Sequence, residues 1–248
     1  MTASPNLPVI NEAKDRILVA LDTRDVAHAR TLAQELDGLV GGLKVGKEFF
    51  TAVGPQGVQK AVGSIPLFAD LKFHDIPNTV AGAVRSAVQM SPMIVNVHAT
   101  GGRAMMEGAA QAATEEAGKL GIARPLVIAV TVLTSMDNKD LSEIMGREIT
   151  AEEQVRRLAL LAQDSGMDGV VCSAHEITML REACGPDFKL VVPGIRPEWA
   201  AAGDQKRIKT PAQAVRDGAD YLVIGRPITG ADNPADAARR IGAELKDL

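Results

Sequence analysis

The strongest constraint on the fold is an alternation that runs the length of the chain, short β-rich runs separated by Ala-rich helical patterns. The β-rich runs cover residues 17–21, 40–45, 67–71, 93–97, 126–131, 169–172, 190–192 and 221–224, eight in all. Several are near-continuous apolar stretches, the pattern of parallel strands covered on both faces. Helical periodicity fills the intervals, over 26–36, 81–90, 102–120 and 151–165 among others, each bounded by Gly, Pro, Asp or Ser. Asn233 followed by Pro234 reads as an N-cap and first helical position for a closing helix over 235–245. Alternation of this kind gives a parallel α/β fold. Eight units in 248 residues favour closure into one (β/α)₈ barrel, a TIM barrel, over an open sheet. No linker, low-complexity tract or second domain interrupts the chain, so 1–248 reads as a single domain with 1–15 as an N-terminal extension.

Composition narrows the function. The formal net charge of −4 supplies no global basic field, so nucleic acid is not an expected partner. Two cysteines, Cys172 and Cys184, do not make a disulfide framework, and a reducing cytoplasm is the simplest expected location. The first sixteen residues, MTASPNLPVINEAKDR, carry no long apolar core of the signal-peptide kind. No apolar run approaches the ~20 residues needed to span a bilayer, so no membrane role is expected.

In a barrel of this type the active site gathers at the C-terminal ends of the strands. The polar residues at those addresses are Asp22 after the first strand, Lys44 in the second, and Asp70, Lys72 and Asp75 at the third. Asn96 and His98 belong to the fourth, Thr134 and Ser135 to the fifth, Arg196 and Gln205 to the seventh, Gly225 and Arg226 to the eighth. The most informative stretch is Asp70-Leu71-Lys72-Phe73-His74-Asp75-Ile76-Pro77-Asn78-Thr79. Residues two apart in a strand share a face, so Asp70 and Lys72 are expected to point together into the barrel mouth. Asp75 follows in the loop before a helix opened by Pro77, and Lys44, flanked by Gly42 and Gly46, can join from the neighbouring strand. Two ammonium and two carboxylate groups would then alternate at the functional rim. A structural ion-pair network is the competing reading, and Asp75 alone could be a helix N-cap.

Gly225-Arg226-Pro227 directly follows the eighth run. Barrels frequently bind phosphate with the loops after strands seven and eight. Gly225 lets the backbone approach an anion and Arg226 offers a planar fork, with Arg196 and Gln205 placed to complete the grip. An ordinary surface arginine beside a turn glycine is the alternative. His98 at a strand end could equally be a structural histidine; His74 shares the face of Asp70 and Lys72 only if the strand continues that far. His28 and His175 fall in helix-like segments and are expected to be exposed. The histidines, cysteines and carboxylates show no tight zinc spacing, and a lysine two residues from Asp70 argues against a dedicated Mg²⁺ cage. No Gly-x-Ser-x-Gly elbow, P-loop or Gly-x-Gly-x-x-Gly turn is present. Cys172 is expected to pack rather than act as a nucleophile.

Residues 70–79 closely resemble the defining motif of the orotidine 5′-monophosphate decarboxylases, particularly the bacterial branch. Val19-Ala20-Leu21-Asp22, Leu43-Lys44-Val45-Gly46, the block from Ala129 to Ser135, Pro193-Gly194-Ile195-Arg196-Pro197 and Val223-Ile224-Gly225-Arg226-Pro227 resemble family blocks in family order. The resemblance implies a cofactor-free carboxy-lyase acting on a nucleotide at the last step of de novo pyrimidine biosynthesis. It implies that Asp70 and Lys72 are the catalytic pair, with Lys44 and Asp75 completing a tetrad and Asp75 reaching across a homodimer interface. Asp22 and Thr79 would contact ribose hydroxyls, Thr79 also from the partner chain. Thr134 would bind the pyrimidine, with Ser135 the alternative one residue along. Arg196, Gln205, Gly225 and Arg226 would hold the 5′-phosphate. Residues 198–208, rich in Ala, Gly and charge, are the candidate closing loop. The nearest rival is a related barrel acting on sugar phosphates, which shares the Asp-x-Lys-x-x-Asp skeleton but uses Mg²⁺. A phosphate-binding barrel without turnover is the rival from another class.

Overall fold

A computed structural model describes residues 10–200, 209–246 and 248. Eight strands close into one barrel in chain order. They are β1 (Ile17–Leu21), β2 (Gly42–Gly46), β3 (Leu67–Phe73), β4 (Ile94–His98), β5 (Leu126–Val130), β6 (Gly169–Val171), β7 (Lys189–Pro193) and β8 (Tyr221–Ile224). Every neighbouring pair is parallel, and β8 returns to β1 through Ile17↔Leu222, Leu18↔Val223 and Val19↔Ile224. The helices are α1 (Val26–Leu36), α2 (Lys47–Val62), α3 (Pro77–Val88), α4 (Arg103–Leu120), α5 (Asn138–Met145), α6 (Ala151–Asp164), α7 (Ile177–Cys184), α8 (Pro211–Arg216), α9 (Arg226–Thr229) and α10 (Pro234–Glu244). The expected barrel is therefore the observed one.

Strand parity divides the core in two. On β1 to β5 the even residues face inward, and on β6 to β8 the odd ones do. Leu18, Phe68, Ile94, Leu126, Ile128, Val191 and Tyr221 pack together as the barrel's interior floor. The alternate residues, among them Val19, Leu43, Val45, Val95, Val97 and Leu222, pack outward against the helices in a second, larger cluster. One step further along the inward face stand Ala20, Lys44, Asp70 and Asn96. The apolar floor thus ends where the polar layer begins, at the C-terminal mouth.

The other end of the barrel is tied by different charges. Arg124 Nη1 and the Val127 backbone N–H both donate to Asp168 Oδ2, at 2.7 and 2.6 Å. Asp220 Oδ2 accepts from Arg181 Nη2 at 2.7 Å and from the Leu190 N–H at 2.9 Å. Asp168 and Asp220 immediately precede β6 and β8, and their carboxylates bind N–H groups at the starts of the neighbouring strands β5 and β7.

Local chemistry accounts for most element boundaries. Asp25 caps α1 by accepting from the Ala27 and His28 N–H groups, and Asn233 caps α10 through the Asp236 N–H, as expected. Helix α2 contains Gly54 at φ 65° followed by Pro55; the proline cannot continue the helical ladder and the glycine supplies the left-handed turn at the kink. The second strand starts at Gly42 rather than residue 40, because Gly41 passes against the backbone of Asp15 and donates to Ile17 O. The fifth ends at Val130, and the Thr131 hydroxyl donates sideways to Val171 O at 3.0 Å. Helix α3 begins at Pro77, the proline expected to open it, with Ile76 at its N-cap and no side-chain cap bond. Asp75 is thus not the N-cap; its Oδ1 accepts from the N–H of Ile76 at 2.7 Å.

Candidate active site

Four inward or rim side chains form a chain of alternating charge. Lys44 Nζ lies 3.2 Å from Asp22 Oδ1 and 3.6 Å from Asp70 Oδ2, and Lys72 Nζ lies 2.5 Å from Asp70 Oδ1. Their settings differ. Lys44 and Asp70 are nearly buried, with side chains 11% and 12% exposed, while Asp22 is 66% exposed at the rim. A buried lysine is costly unless paired, and Lys44 is paired on both sides. Gly46 makes room for it, since a Cβ there would stand 3.2 Å from the Lys44 ammonium.

Asp70 and Lys72 meet, but not through a regular strand. On β3, Ala69 pairs with Val95 and Phe73 with Val97, so the residues between are out of step with β4. Within this irregular stretch Lys72 adopts φ 52°, a left-handed conformation uncommon for a residue with a side chain.

A cavity of about 230 Å³ opens at the mouth beside this array. Asp22, Lys44 and Asp70 line one wall; Gly194, Arg196, Gly225 and Arg226 line the other, from the ends of β7 and β8. Arg196 is nearly buried and Arg226 is exposed at the start of α9. Two guanidinium groups therefore share a cavity with the carboxylate–ammonium array. A larger cleft of about 500 Å³ lies at the opposite end, between Asn11–Lys14 and the last turns of α10, and holds none of these residues.

This arrangement has close relatives. A family model described as Orotidine 5′-phosphate decarboxylase / HUMPS family matches residues 15–241. The chain belongs to that family. It is 56% identical over 230 residues to a protein named orotidine 5′-phosphate decarboxylase from Paramagnetospirillum magneticum, covering 92% of this chain and 97% of the other. The protein of the same name from Rhodospirillum rubrum is 54% identical over 243 residues, 96% of this chain and 97% of its own. Among solved structures, the orotidine 5′-phosphate decarboxylase of Lactobacillus acidophilus superposes with a TM-score of 0.83 at 35% identity, covering 92% of this chain and 98% of that one.

The 70–79 stretch, which resembles the motif of the orotidine 5′-monophosphate decarboxylases, is split by the fold. Asp70 and Lys72 join the array. Asp75, Ile76 and Thr79 are exposed at the start of α3, Ile76 at 67%. Asp75 makes no ion pair with Lys44 or Lys72 within the chain, among the described residues, and Asp22 is the second carboxylate of the in-chain array. Thr134 and Ser135 stand exposed on the loop after β5 and do not line the cavity. Gln205, and most of the candidate closing loop at 198–208, lie outside the described residues.

Two histidines and an asparagine complete the surroundings. The rings of His74 and His98 lie 5.4 Å apart between centroids. Burial, then the neighbouring His74, Lys47 and Lys72, push the His98 imidazole down to about 4, so it is neutral near pH 7. Asn96, wholly buried on β4, contacts both Asp70 and Lys72. Its position among rim residues was legible from the sequence; its contact with both was not, because it depends on pairing between strands. His28 and His175 are exposed, as expected. Cys172 is wholly buried and its thiol is pushed well above its ordinary value, chiefly by burial, which suits packing rather than nucleophilic attack.

Proposed function

We propose that this chain decarboxylates orotidine 5′-monophosphate to uridine 5′-monophosphate, the last step of de novo pyrimidine biosynthesis. The observation that carries the reading is the single cavity whose walls join Arg196 and Arg226 to Asp22, Lys44 and Asp70. A nucleotide with its 5′-phosphate against the arginines can present its ribose to Asp22 and its base toward Asp70 and Lys72. Gly225 and Gln205 complete the phosphate grip in this reading, and Thr134, or Ser135 beside it, meets the pyrimidine.

The chemistry suits these groups. Cleavage of the bond between C6 and the carboxylate carbon releases CO₂ and leaves the electron pair on C6. That pair lies in the ring plane, orthogonal to the π system, so the ring cannot delocalise it. A fixed ammonium beside C6 stabilises the developing carbanion more than the neutral carbon it came from. Lys72 fills that role, then transfers its proton to C6 and regains one from water. Asp70 acts in one of two ways, either by holding Lys72 charged and aimed or by a repulsion of the substrate carboxylate that is relieved as CO₂ departs. The route uses only the chain's own charges and no cofactor. Asp75 and Thr79 act in a second copy's site, in a homodimer; their exposure beside Ile76 supports this assignment.

The family's name joins two branches, and the second reading is a Mg²⁺-dependent reaction on a sugar phosphate. The names of the relatives at 54–56% identity support the first branch. Purified protein mixed with orotidine monophosphate in EDTA tests the choice, with uridine monophosphate identified by chromatography. Rapid conversion is expected. No conversion, with activity on a sugar-phosphate acid plus Mg²⁺, moves the assignment to the other branch.

A further inference from the structure

The ladder between β3 and β4 fails at one place, and the site is built on that failure. Ala69 pairs with Val95 and Phe73 with Val97. Three residues of β3, Asp70, Leu71 and Lys72, thus stand opposite a single residue of β4, Asn96. A gap of this kind leaves a backbone donor without its ladder partner. The Asn96 side chain fills it: Oδ1 accepts from the Lys72 backbone N–H at 2.7 Å. The other half of the same amide turns to the catalytic carboxylate, with Nδ2 donating to Asp70 Oδ1 at 2.6 Å. Asn96 is wholly buried, so neither bond competes with bulk water. The orientation of the amide is forced, because a backbone N–H can only donate and a carboxylate only accept.

We propose that Asn96 is a positioning residue that sets the Lys72–Asp70 pair, holding the Lys72 backbone in its left-handed conformation while fixing the carboxylate to which the Lys72 ammonium is bound. Few side chains can do both. Aspartate keeps the acceptor for the Lys72 N–H but turns a second carboxylate oxygen toward Asp70. Leucine has the shape and neither polar atom. Glutamine adds a methylene to a filled interior. Without the amide, Lys72 returns to an ordinary extended backbone and its ammonium leaves Asp70 Oδ1. The inference rests on the reading of Lys72 as the group at the reacting carbon.

The test pairs Asn96→Leu with Asn96→Asp, each compared with the wild type on orotidine monophosphate, with kcat and KM measured separately. The phosphate-facing arginines are untouched, so KM is expected to stay within about threefold. Loss of an aligned general acid and charge is expected to lower kcat by about 10²-fold or more. A merely structural Asn96 would lower the folded fraction and leave kcat per folded enzyme and KM unchanged. Crystal structures give a readout independent of turnover, in which the leucine variant is expected to show Lys72 at negative φ. An unchanged Lys72 φ and Lys72–Asp70 contact in that variant, or kcat within threefold of wild type in whichever variants fold, would overturn the proposal. An inactive wild type would instead count against the reaction assigned above, while the Lys72 geometry would still judge Asn96.

Discussion

The two ends of this barrel both carry paired charges, and they use them differently. At the N-terminal end Asp168 and Asp220 each bind a guanidinium and a backbone N–H of the strand they anchor. Arg181 goes further and donates to the carbonyls of Gly185, Pro186, Phe188 and Gly218. These charges are knotted into the main chain and line neither of the two cavities described above. At the C-terminal end Asp22, Lys44, Asp70 and Lys72 pair side chain to side chain along the wall of a cavity. The same ingredients therefore tie strands at one end and line a cavity with oriented charge at the other. In barrels generally, function gathers at the C-terminal face and stability at the opposite one, and here the identity of the carboxylate's partners distinguishes the two.

The largest expected effect is at the mouth. Lys72→Ala should fold with a stability change within about 1 kcal/mol, since its partner keeps Lys44 and Asn96. Its kcat should fall on the order of 10⁴-fold, from loss of both charge stabilisation and proton delivery. Turnover and urea midpoint measured on the same preparation check both halves; robust decarboxylation by the folded variant removes Lys72 from the mechanism. Next comes Arg226→Ala, expected to lower kcat/KM by about 10²-fold or more although it touches no reacting atom. A near-wild-type value there removes the phosphate assignment and leaves the cavity's second wall unexplained.

Asp168→Ala is the counterpart at the other end. It strips Arg124 of its carboxylate partner and frees the Val127 N–H, so a loss of about 2–4 kcal/mol is expected in urea unfolding. Activity per folded molecule should stay near wild type. A kcat that fell in step with Lys72→Ala would mean that the two ends are coupled rather than divided in labour.

Much of this division was legible in the sequence because it follows period. Apolar runs spaced by helical patterns gave eight strands and a closed barrel, and position at strand ends gave Asp22, Lys44, Asp70, Arg196 and Arg226. The rest depends on contacts that no local pattern encodes. Alternation brought Asp70 and Lys72 together on paper, yet the chain does it through an irregular ladder with Lys72 at φ 52°. The role of Asn96 arises only once β4 lies beside β3. Asp75 and Thr79 are exposed, away from the array that their place in the sequence motif suggested they would join. The bonds of Asp168 and Asp220 have no sequence signature, because short acidic residues before strands look like ordinary turn residues.

The smallest expected effect concerns pH and the His98 ring beside the array. His98 is held down to about 4, first by burial and then by His74, Lys47 and Lys72, against about 6.5 in an unfolded chain. Between those values the unfolded state binds more protons than the folded one, so stability rises with pH across the window and is complete above about 6.5. As pH falls toward 4 the contribution is lost. The ring is only partly buried, so solvent screening reduces the expected loss to about 1–2 kcal/mol. Urea unfolding of wild type and His98→Gln at pH 7 and pH 4.5 isolates it, the variant losing less stability by that amount. Equal losses in the two proteins would mean that His98 titrates normally, in which case a third cation would join Lys44 and Lys72 in mild acid. A difference of the expected size means that the charge pattern at the mouth is unaltered by this ring across the neutral range, as a site working through fixed electrostatics requires.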